Sequence, residues 1–412
     1  MTNKPSPKCR SCGADRLLPV LDLGRTPLAN SLLTTEQLNL PEDNYPLEVV
    51  LCPACSLVQI TETVPPEVLF RDYLYFSSFS DTMLGHAAAL VNQVLAERQL
   101  GAESLAVEVA SNDGYLLQYY KHHDVPVLGI EPARNVAQVA VEKRGIRTVT
   151  EFFSEKLARE LAAQGERADV LHANNVLAHV ADLNDFVSGV RHLLKPDGVA
   201  VIEVPYIKDL VDRCEFDTIY HEHLCYFSLT ALDNLFHRHQ LQINAVERIA
   251  IHGGSLRVTV GHAGVAPQSA HVAALLADEG DWGVGNPEFY EKFSARVEAL
   301  KVELRGLLAD AKSKGARIAA YGAAAKGSTL LNYFQIGRET IDFVVDRSTY
   351  KQGRYVPGVH IPIVPTEQLV KEMPDYVLLL TWNFASEILE QQAEYRRRGG
   401  RFIVPVPDVR VV

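Results

Sequence analysis

Apolar runs of strand length alternate with amphipathic helical segments between residues 105 and 260. The four clearest runs are Leu105–Ala110, Val125–Ile130, Ala168–Ala173 and Val199–Val204. Strands that alternate with helices along the chain form a parallel sheet covered on both faces. The pattern therefore predicts a doubly wound α/β domain, which we place at residues 71–265.

A second pattern of strand, turn and helix occupies the C-terminal part of the chain. Ala316–Tyr321 is a strand-like run followed by a glycine turn, and Ile341–Val345 is the next run. Before them, Tyr290–Ala311 carries apolar residues at three- and four-residue spacing, which is typical of a helix. We therefore expect connecting helices at 266–314 and a Rossmann-like domain at 315–412.

The composition limits function and location. The 412 residues are 47% hydrophobic and 22% charged, which is ordinary for a globular protein of two or three domains. The formal net charge of -11 argues against a nucleic-acid-binding protein, which usually has a basic face. No stretch approaches the roughly 20 apolar residues of a membrane span, and no signal-peptide pattern is present. We expect a cytoplasmic protein, with a monomer as the working expectation.

Four of the six cysteines form two C-x2-C pairs near the N-terminus. Cys9 pairs with Cys12, and Cys52 pairs with Cys55. In a reducing compartment, four such thiolates suit tetrahedral zinc. A disulfide framework is the alternative, and it would require an oxidising compartment. Four cysteine ligands leave no open coordination position, so the predicted zinc is structural and holds together a small domain at residues 1–70.

The turn after the first predicted strand indicates the kind of ligand. It reads Ser111-Asn-Asp-Gly114 and lacks the G-x-G-x-x-G pattern that brings bare backbone against a pyrophosphate. S-adenosylmethionine has no phosphate and tolerates such a polar turn. Glu131 follows the second strand, where a carboxylate can accept hydrogen bonds from both hydroxyls of a ribose. These features favour S-adenosylmethionine over a dinucleotide.

Residues 85–265 resemble the class I S-adenosylmethionine-dependent methyltransferases, because a polar turn follows strand four and Leu193–Gly198 leads into strand five. The resemblance implies that the first turn holds the methionine part, the strand-two acid holds the ribose, and the turn after strand four faces the sulfonium. The cofactor-binding residues that it implies are Glu108, Ala110, Asn112, Gly114, Glu131 and Asn174. Ala110 and Asn112 replace two glycines of the family's E-x-G-x-G-x-G motif. A doubly wound domain with an empty ligand site is the alternative.

The stretch Tyr220–Phe227 concentrates side chains capable of acid–base chemistry. It contains Tyr220, Glu222 and His223, and it follows the predicted fifth strand. Neighbours on an extended segment point to opposite sides, so we favour proton transfer over metal binding. A neutral histidine can remove a carbon-bound proton acidified by a carbonyl, and a carboxylate partner can fix its tautomer. A polar loop with structural histidines is the alternative, and His179 is a secondary candidate for the same cleft.

The C-terminal glycine turn has features of a phosphate site. Lys326 and Gly327 lie where the next helix begins, Asp346 ends the following strand, and Lys351 comes after it. A helix N-terminus with a lysine attracts phosphate, although close packing of strand and helix also requires glycine. We interpret the set as a nucleotide-diphosphate site, and we expect Gly254 to allow a close approach of backbone to substrate.

The whole chain resembles the nucleotide-sugar C-methyltransferases of bacterial deoxysugar pathways. The segments that carry the resemblance, besides the four cysteines, are Tyr73–Ser78, Tyr220–Phe227 and Tyr321–Gly327. The resemblance implies an α/β fold in which a class I methyltransferase sheet is flanked by an N-terminal zinc-binding domain and a C-terminal Rossmann-like domain. It also implies methylation at C-3 of a thymidine-diphosphate (TDP)-linked 4-keto-deoxysugar, with the nucleotide held by the C-terminal domain.

The same resemblance implies roles for individual residues. His223 would be the base, supported by Glu222, with Tyr220 near the sugar. Of Tyr73 and Tyr75, we favour Tyr75 as the second tyrosine near the sugar. Two alternatives remain at this point: an O- or N-methyltransferase of another small molecule, and a non-catalytic, zinc-anchored interaction protein.

Overall fold

The structure is a computed structural model that describes residues 7–70 and 76–412. Its strands are β1 (Leu18–Thr26), β2 (Tyr45–Leu51), β3 (Val58–Ile60), β4 (Ala106–Val109), β5 (Val127–Ile130), β6 (Thr148–Val149), β7 (Ala168–Asn174), β8 (Leu194–Pro205), β9 (Cys225–Tyr226), β10 (Leu241–Ile249), β11 (Ser255–His262), β12 (Ile318–Tyr321), β13 (Val344–Val345), β14 (Ile363–Val364), β15 (Tyr376–Leu379), β16 (Arg401–Val404) and β17 (Arg410–Val411).

The α-helices cover the sheets and connect their strands. They are α1 (Pro66–Phe70), α2 (Asp81–Glu97), α3 (Leu117–His122), α4 (Arg134–Arg144), α5 (Glu155–Ala163), α6 (Leu183–Leu193), α7 (Ile207–Asp212), α8 (Leu229–Arg238), α9 (Ala270–Trp282), α10 (Glu288–Ser313), α11 (Ala325–Phe334), α12 (Gln368–Glu372), α13 (Ala385–Gln391) and α14 (Ala393–Arg397). None of the helices in the described ranges combines the length and apolarity needed to span a bilayer.

The central sheet has the strand order β10-β11-β8-β7-β4-β5-β6. The strands from β8 to β6 are parallel, whereas β11 runs antiparallel to both β8 and β10. Their inner residues are almost all buried, as expected for a parallel sheet with helices on both faces. The predicted doubly wound domain is confirmed, and the carboxyl ends of its parallel strands define the edge where ligands bind.

The N-terminal sheet recruits a strand from the middle of the chain. Its order is β1-β2-β3-β9, and all of its pairs are antiparallel. In the last pair, Val58 lies opposite Tyr226 and Gln59 lies opposite Cys225. The second half of the Tyr220–Phe227 stretch is therefore part of the sheet of the zinc-binding domain, which the sequence did not predict.

The C-terminal sheet has the order β14-β13-β12-β15-β16-β17 and is parallel except for β17. This confirms the Rossmann-like architecture. The long helix α10 precedes the sheet, and the rings of Phe216 and Phe334 stack with centroids 4.9 Å apart, which joins the C-terminal domain to the central one. The domain limits 1–70, 71–265, 266–314 and 315–412 stay a prediction.

Candidate active site

The four N-terminal cysteines lie together in the structure. Their sulfurs are all within 4.8 Å of one another, with Cys9 Sγ 3.5 Å from Cys55 Sγ and Cys12 Sγ 3.6 Å from Cys52 Sγ. Zinc–sulfur bonds of about 2.3 Å place the corners of a tetrahedron about 3.8 Å apart, so the cluster fits a four-cysteine zinc site. The predicted metal ligands are brought together as expected.

The first turn of the central sheet has the backbone shape of a glycine-rich loop, although two of its three left-handed residues are not glycine. Ala110, Asn112 and Gly114 have φ values of 52°, 49° and 79°. Alanine rarely adopts this left-handed region, which costs it roughly 1–2 kcal/mol. A Cβ on Gly114 would lie 2.5 Å from Ile146 Cδ1, so only glycine fits there. The turn is held in a fixed shape that faces the binding edge of the sheet.

Glu131 links the end of β5 to this turn. Its Oε2 accepts a hydrogen bond from the Asn112 amide at 2.9 Å, and its Oε1 accepts one from the Ala133 amide at 2.8 Å. Burial raises the pKa of Glu131, while the two amides act in the opposite direction. The carboxyl is thus fixed in position, and each oxygen keeps a second lone pair for a ribose hydroxyl.

Buried polar atoms around this turn lack partners among the described residues. They include Glu108 Oε2 on β4 and Asn174 Oδ1 at the end of β7. Burial, and then the nearby Glu131 carboxyl, raise the pKa of Glu108 well above its usual value. An unpartnered buried polar atom is costly unless a ligand or water satisfies it. These atoms, the turn and Glu131 therefore fit the polar parts of S-adenosylmethionine.

The segment before α2 covers the same turn. The Ser77 amide donates to Asn112 Oδ1 at 2.9 Å, and the Ser78 hydroxyl donates to the Asp113 carboxylate. On its other side, Phe76 stacks on Tyr350 of the C-terminal domain, with ring centroids 6.4 Å apart. The segment therefore connects the cofactor turn with the C-terminal domain.

Tyr75 and Tyr73 lie outside the described residues, in the gap that precedes this segment. The predicted place of Tyr75 near the sugar therefore stays a prediction.

His223 is oriented by two hydrogen bonds. Its Nδ1 lies 2.8 Å from the Thr218 carbonyl oxygen, which can only accept, so Nδ1 carries the hydrogen. Its Nε2 then carries the lone pair, and it lies 2.9 Å from the Tyr220 hydroxyl. The two rings are close, with centroids 4.1 Å apart. The backbone fixes the tautomer that a base acting through Nε2 needs.

The expected support of His223 by Glu222 is wrong in its geometry. The Glu222 Oε1 atom accepts a hydrogen bond from Asn30 Nδ2 at 2.6 Å, and the Thr218 carbonyl takes the place at His223 Nδ1 that a carboxylate would occupy. The physical reason is a turn in place of the expected extended segment: the His223 amide donates to the Tyr220 carbonyl at 2.8 Å, and the Glu222 side chain faces Asn30 instead of His223. Burial raises the pKa of Glu222 to about 7, while the Asn30 amide acts to lower it.

His179 joins this group from the turn after β7. Its Nδ1 donates to the Glu222 carbonyl oxygen at 2.7 Å, and its ring packs edge-on against His223 with centroids 4.8 Å apart. Burial lowers the pKa of His179 to about 4, so this imidazole is neutral at physiological pH. Because β7 also ends in Asn174, the histidine pair lies at the same edge of the sheet as the cofactor-binding residues.

Asp346 repeats the role of Glu131 in the C-terminal domain. Its Oδ2 accepts from the Ala323 amide at 2.8 Å, and its Oδ1 accepts from the Ser348 amide at 2.8 Å. Lys351 Nζ donates to the Ala323 carbonyl at 2.9 Å and lies 3.7 Å from Asp346. The structure brings Asp346 and Lys351 together at the glycine turn, as the sequence suggested.

Lys326 points into the interface between the central and C-terminal domains. Its Nζ donates to Asn383 Oδ1 at 3.0 Å and lies 4.5 Å from the centre of the Trp382 ring. Burial lowers the pKa of Lys326, and the nearby carboxylates of Asp217 and Glu215 act to raise it. In this structure the ammonium group of Lys326 is therefore held by Asn383 and Trp382 of its own domain, near two carboxyl groups of the central domain, and not among phosphate ligands at the helix start.

The two glycines predicted to contact the substrate, Gly254 and Gly327, are required by packing within the protein. A Cβ on Gly254 would lie 2.4 Å from Asp209 Oδ2, and a Cβ on Gly327 would lie 2.8 Å from Leu380 Cβ. The close neighbour of each glycine is a side chain of the protein. Their contact with a nucleotide sugar stays a prediction without support from these distances.

Sequence reasoning missed three contributors to the site. Asn30 and the Thr218 carbonyl hold Glu222 and His223, and Trp382 Nε1 donates to Asp217 Oδ2 at 2.7 Å. Asn30 lies in a loop without periodicity, and the Thr218 contact uses a backbone atom that any residue has. The chain therefore carries no pattern that could have identified them.

Comparisons with known families cover almost the whole chain. The family models that match are described as "Putative zinc binding domain" at residues 9–70, "Methyltransferase domain" at residues 83–246 and "C-methyltransferase C-terminal domain" at residues 250–407. C-methyltransferase NovU of Streptomyces niveus is 38% identical over 410 residues, which is 99% of this chain and 97% of that protein.

Other similarities are more local. A ubiquinone biosynthesis O-methyltransferase of Azorhizobium caulinodans is 28% identical over 99 residues, covering 23% of this chain and 38% of that protein. Among solved structures, the PH0226 protein of Pyrococcus horikoshii covers 49% of this chain and 100% of its own, at 13% identity and a TM-score of 0.38.

The full-length similarity agrees with the four-cysteine cluster and the strand order of the central sheet. The chain therefore belongs to the C-methyltransferase family, and it is an S-adenosylmethionine-dependent enzyme with a zinc-binding domain at its N-terminal end.

Proposed function

We propose that the protein transfers the methyl group of S-adenosylmethionine to C-3 of a TDP-linked 4-keto-deoxysugar. The observation that carries the proposal is the orientation of His223, whose Nδ1 faces the Thr218 carbonyl and whose Nε2 therefore has the lone pair. Methylation at carbon requires a base unless the carbon is already nucleophilic, and a ketone beside the carbon makes its hydrogen acidic enough for histidine.

His223 Nε2 removes the proton from C-3, and the electrons of the carbon–hydrogen bond form the enolate of the C-4 ketone. In the structure the Tyr220 hydroxyl donates to this lone pair at 2.9 Å, so the bound sugar has to turn it away from His223, and it then donates to the enolate oxygen. Bound S-adenosylmethionine supplies an electrophilic methyl group. The enolate carbon bonds to it as the carbon–sulfur bond breaks, S-adenosylhomocysteine leaves, and His223 later returns its proton to solvent.

The proposal assigns the remaining residues by place. The methyl donor lies against Glu108, Ala110, Asn112, Gly114, Glu131 and Asn174. His179 stays neutral beside His223, so it does not oppose the charge that His223 gains. Tyr75 lies near the sugar. The nucleotide lies against the C-terminal domain near Asp346 and Lys351, and Lys326 joins them if its contact with Asn383 and Trp382 opens.

Hydrogen exchange tests the base directly. The enzyme and a TDP-4-keto sugar are incubated in heavy water without methyl donor, and NMR follows the loss of the C-3 proton signal. We expect exchange with the wild-type enzyme and none with His223→Ala. The exposed His271 provides the control, since His271→Ala should exchange normally. Wild-type exchange rates in His223→Ala would remove His223 from this role. In a second incubation that includes S-adenosylmethionine, a product methylated on oxygen or nitrogen would replace the proposed reaction.

A further inference from the structure

The segment that carries the acid–base residues is anchored in the zinc-binding domain. We propose that this domain positions the catalytic loop, and that Asn30 is the positioning residue through which it acts on Glu222. The inference rests on the proposed function, because it concerns the proton transfer assigned to His223. It gives the N-terminal domain a part in catalysis beyond holding a metal.

Backbone contacts fix the loop on its C-terminal side. The Ile60 amide donates to the Leu224 carbonyl at 3.0 Å, and β3 then pairs with β9 immediately after it. On the other side of Glu222, His221 Nε2 donates to the Pro46 carbonyl oxygen at 3.2 Å. The residues that flank Glu222 and His223 are therefore held by two strands of the zinc-binding domain.

Asn30 completes this attachment at Glu222 itself. The 2.6 Å hydrogen bond joins Asn30 Nδ2 to the carboxyl group of Glu222, a residue that is only 6% exposed. The backbone carbonyl of Glu222 accepts from His179, which packs against His223. A shift of Glu222 would therefore move both imidazoles, and a displacement of about 1 Å can slow a reaction about a hundredfold.

An amide suits this position because it donates to the carboxyl group in either protonation state. An aspartate in place of Asn30 would put two carboxyl groups at hydrogen-bond distance, where they must share a proton. Besides the Glu222 carboxyl group itself, the titratable groups near residues 30 and 222 are His179 and His223. The Asn30→Asp variant should therefore hold the loop in place only while the two carboxyl groups share a proton. As the pH rises, the proton leaves and the loop is no longer held.

Two substitutions and one control test the inference. In the deuterium-exchange assay we expect Asn30→Ala to slow C-3 exchange at least tenfold, with zinc content and S-adenosylmethionine affinity unchanged. Asn30→Asp should exchange faster at low pH than at high pH, relative to wild type at each pH. Asn44 is an exposed residue of the same domain whose side chain bonds the Glu42 carbonyl, and Asn44→Ala should match wild type.

Each result decides. Wild-type exchange by Asn30→Ala overturns the inference. If Asn30→Ala loses zinc or unfolds, the pH dependence of the exchange rate in Asn30→Asp decides instead. An exchange rate that keeps the same ratio to the wild-type rate at every pH contradicts a positioning role for Asn30. If the wild-type enzyme itself exchanges no keto-sugar nucleotide, the proposed function fails instead, which separates the two proposals.

Discussion

The two Rossmann-like units of the protein build the same turn in the same way. After β4, the Asn112 amide donates to the Glu131 carboxyl at 2.9 Å. After β12, the Ala323 amide donates to the Asp346 carboxyl at 2.8 Å. In both units, the acidic residue at the tip of the next strand stabilises the turn from which the helix begins. The shared bond is thus a feature of the fold, and it does not by itself identify a ligand.

The polar atoms around the two turns differ. At the first turn, Glu108 Oε2 and Asn174 Oδ1 are buried without a partner among the described residues. At the second, Lys351 donates to the Ala323 carbonyl, and the other oxygen of Asp346 accepts from Ser348. The first turn leaves buried atoms of two strands unsatisfied, whereas the second leaves the Tyr321 hydroxyl at the end of β12 and otherwise bonds to itself. Under the proposed function, Lys351 can keep its bond to the Ala323 carbonyl and still offer a second N–H to a phosphate oxygen.

The largest expected effect comes from removing the acid of the first turn. Glu131→Ala deletes the acceptor of two backbone amides and, in the proposed binding mode, of the ribose hydroxyls. Each lost hydrogen bond to a charged group costs about 1.5–3 kcal/mol, so we expect S-adenosylmethionine to bind at least about a hundredfold more weakly. Isothermal titration of the methyl donor measures this directly.

The matching variant of the second turn is Asp346→Ala. It removes the equivalent amide acceptor from the other domain, so it should leave S-adenosylmethionine affinity at the wild-type value. Under the proposed function it should weaken the binding of thymidine diphosphate. Equal losses of methyl-donor binding in both variants would contradict the distinction between the two turns.

A smaller effect should follow from a methyl group at the second turn. In Gly327→Ala the new Cβ would lie 2.8 Å from Leu380 Cβ, and overpacking of this kind costs about 1–3 kcal/mol. Urea denaturation without any ligand should show the loss. Gly306 is the control, because its Cβ would meet nothing within 4 Å and alanine favours a helix by about 1 kcal/mol. Because alanine also favours the helix at Gly327, the test is the difference between the two variants, and an equal gain in stability in both would contradict the packing explanation for Gly327.

The sequence predicted the parts of the site that follow a local rule. Alternating runs placed the two parallel sheets, and the spacing of the four cysteines predicted their cluster. The strand-tip position of Glu131 predicted its place beside the first turn, because the carboxyl ends of parallel strands meet at one edge. His179 lies at this edge because it follows β7, whereas His223 is brought beside it by the loop that pairs with the N-terminal sheet.

Partners that depend on long-range contacts could not be predicted. The bond between Asn30 and Glu222 joins residues 192 positions apart, and nothing local marks either partner. Lys326 resembled a phosphate ligand in the sequence, yet Trp382 and Asn383, more than fifty residues later, surround its ammonium group. The carboxylate expected to orient His223 was the wrong partner, because a backbone carbonyl five residues earlier was geometrically closer.

The smallest predicted effect concerns the interface between the central and C-terminal domains, beside the second turn. It tests whether this interface excludes water when no ligand is bound. Glu215 is 4% exposed, and burial raises its pKa to about 8. Between its usual pKa and about 8, the folded protein holds a proton that the unfolded chain releases, so stability falls as the pH rises through this window. Burial also raises the pKa of Asp217 to about 6 and that of Glu222 to about 7, so the part of the pH dependence that belongs to Glu215 is found by comparing the wild-type enzyme with a Glu215 variant.

In Glu215→Gln the side chain cannot ionise, so its urea midpoint should fall less between pH 6 and 8 than that of the wild-type enzyme. The exposed Glu303 is the control, and Glu303→Gln should keep the wild-type slope. Equal slopes in all three proteins would mean that Glu215 is ionised in the folded state and paired with Lys326. The second turn would then lie beside a charged interface able to open for a nucleotide, and the contrast with the first turn would be weaker.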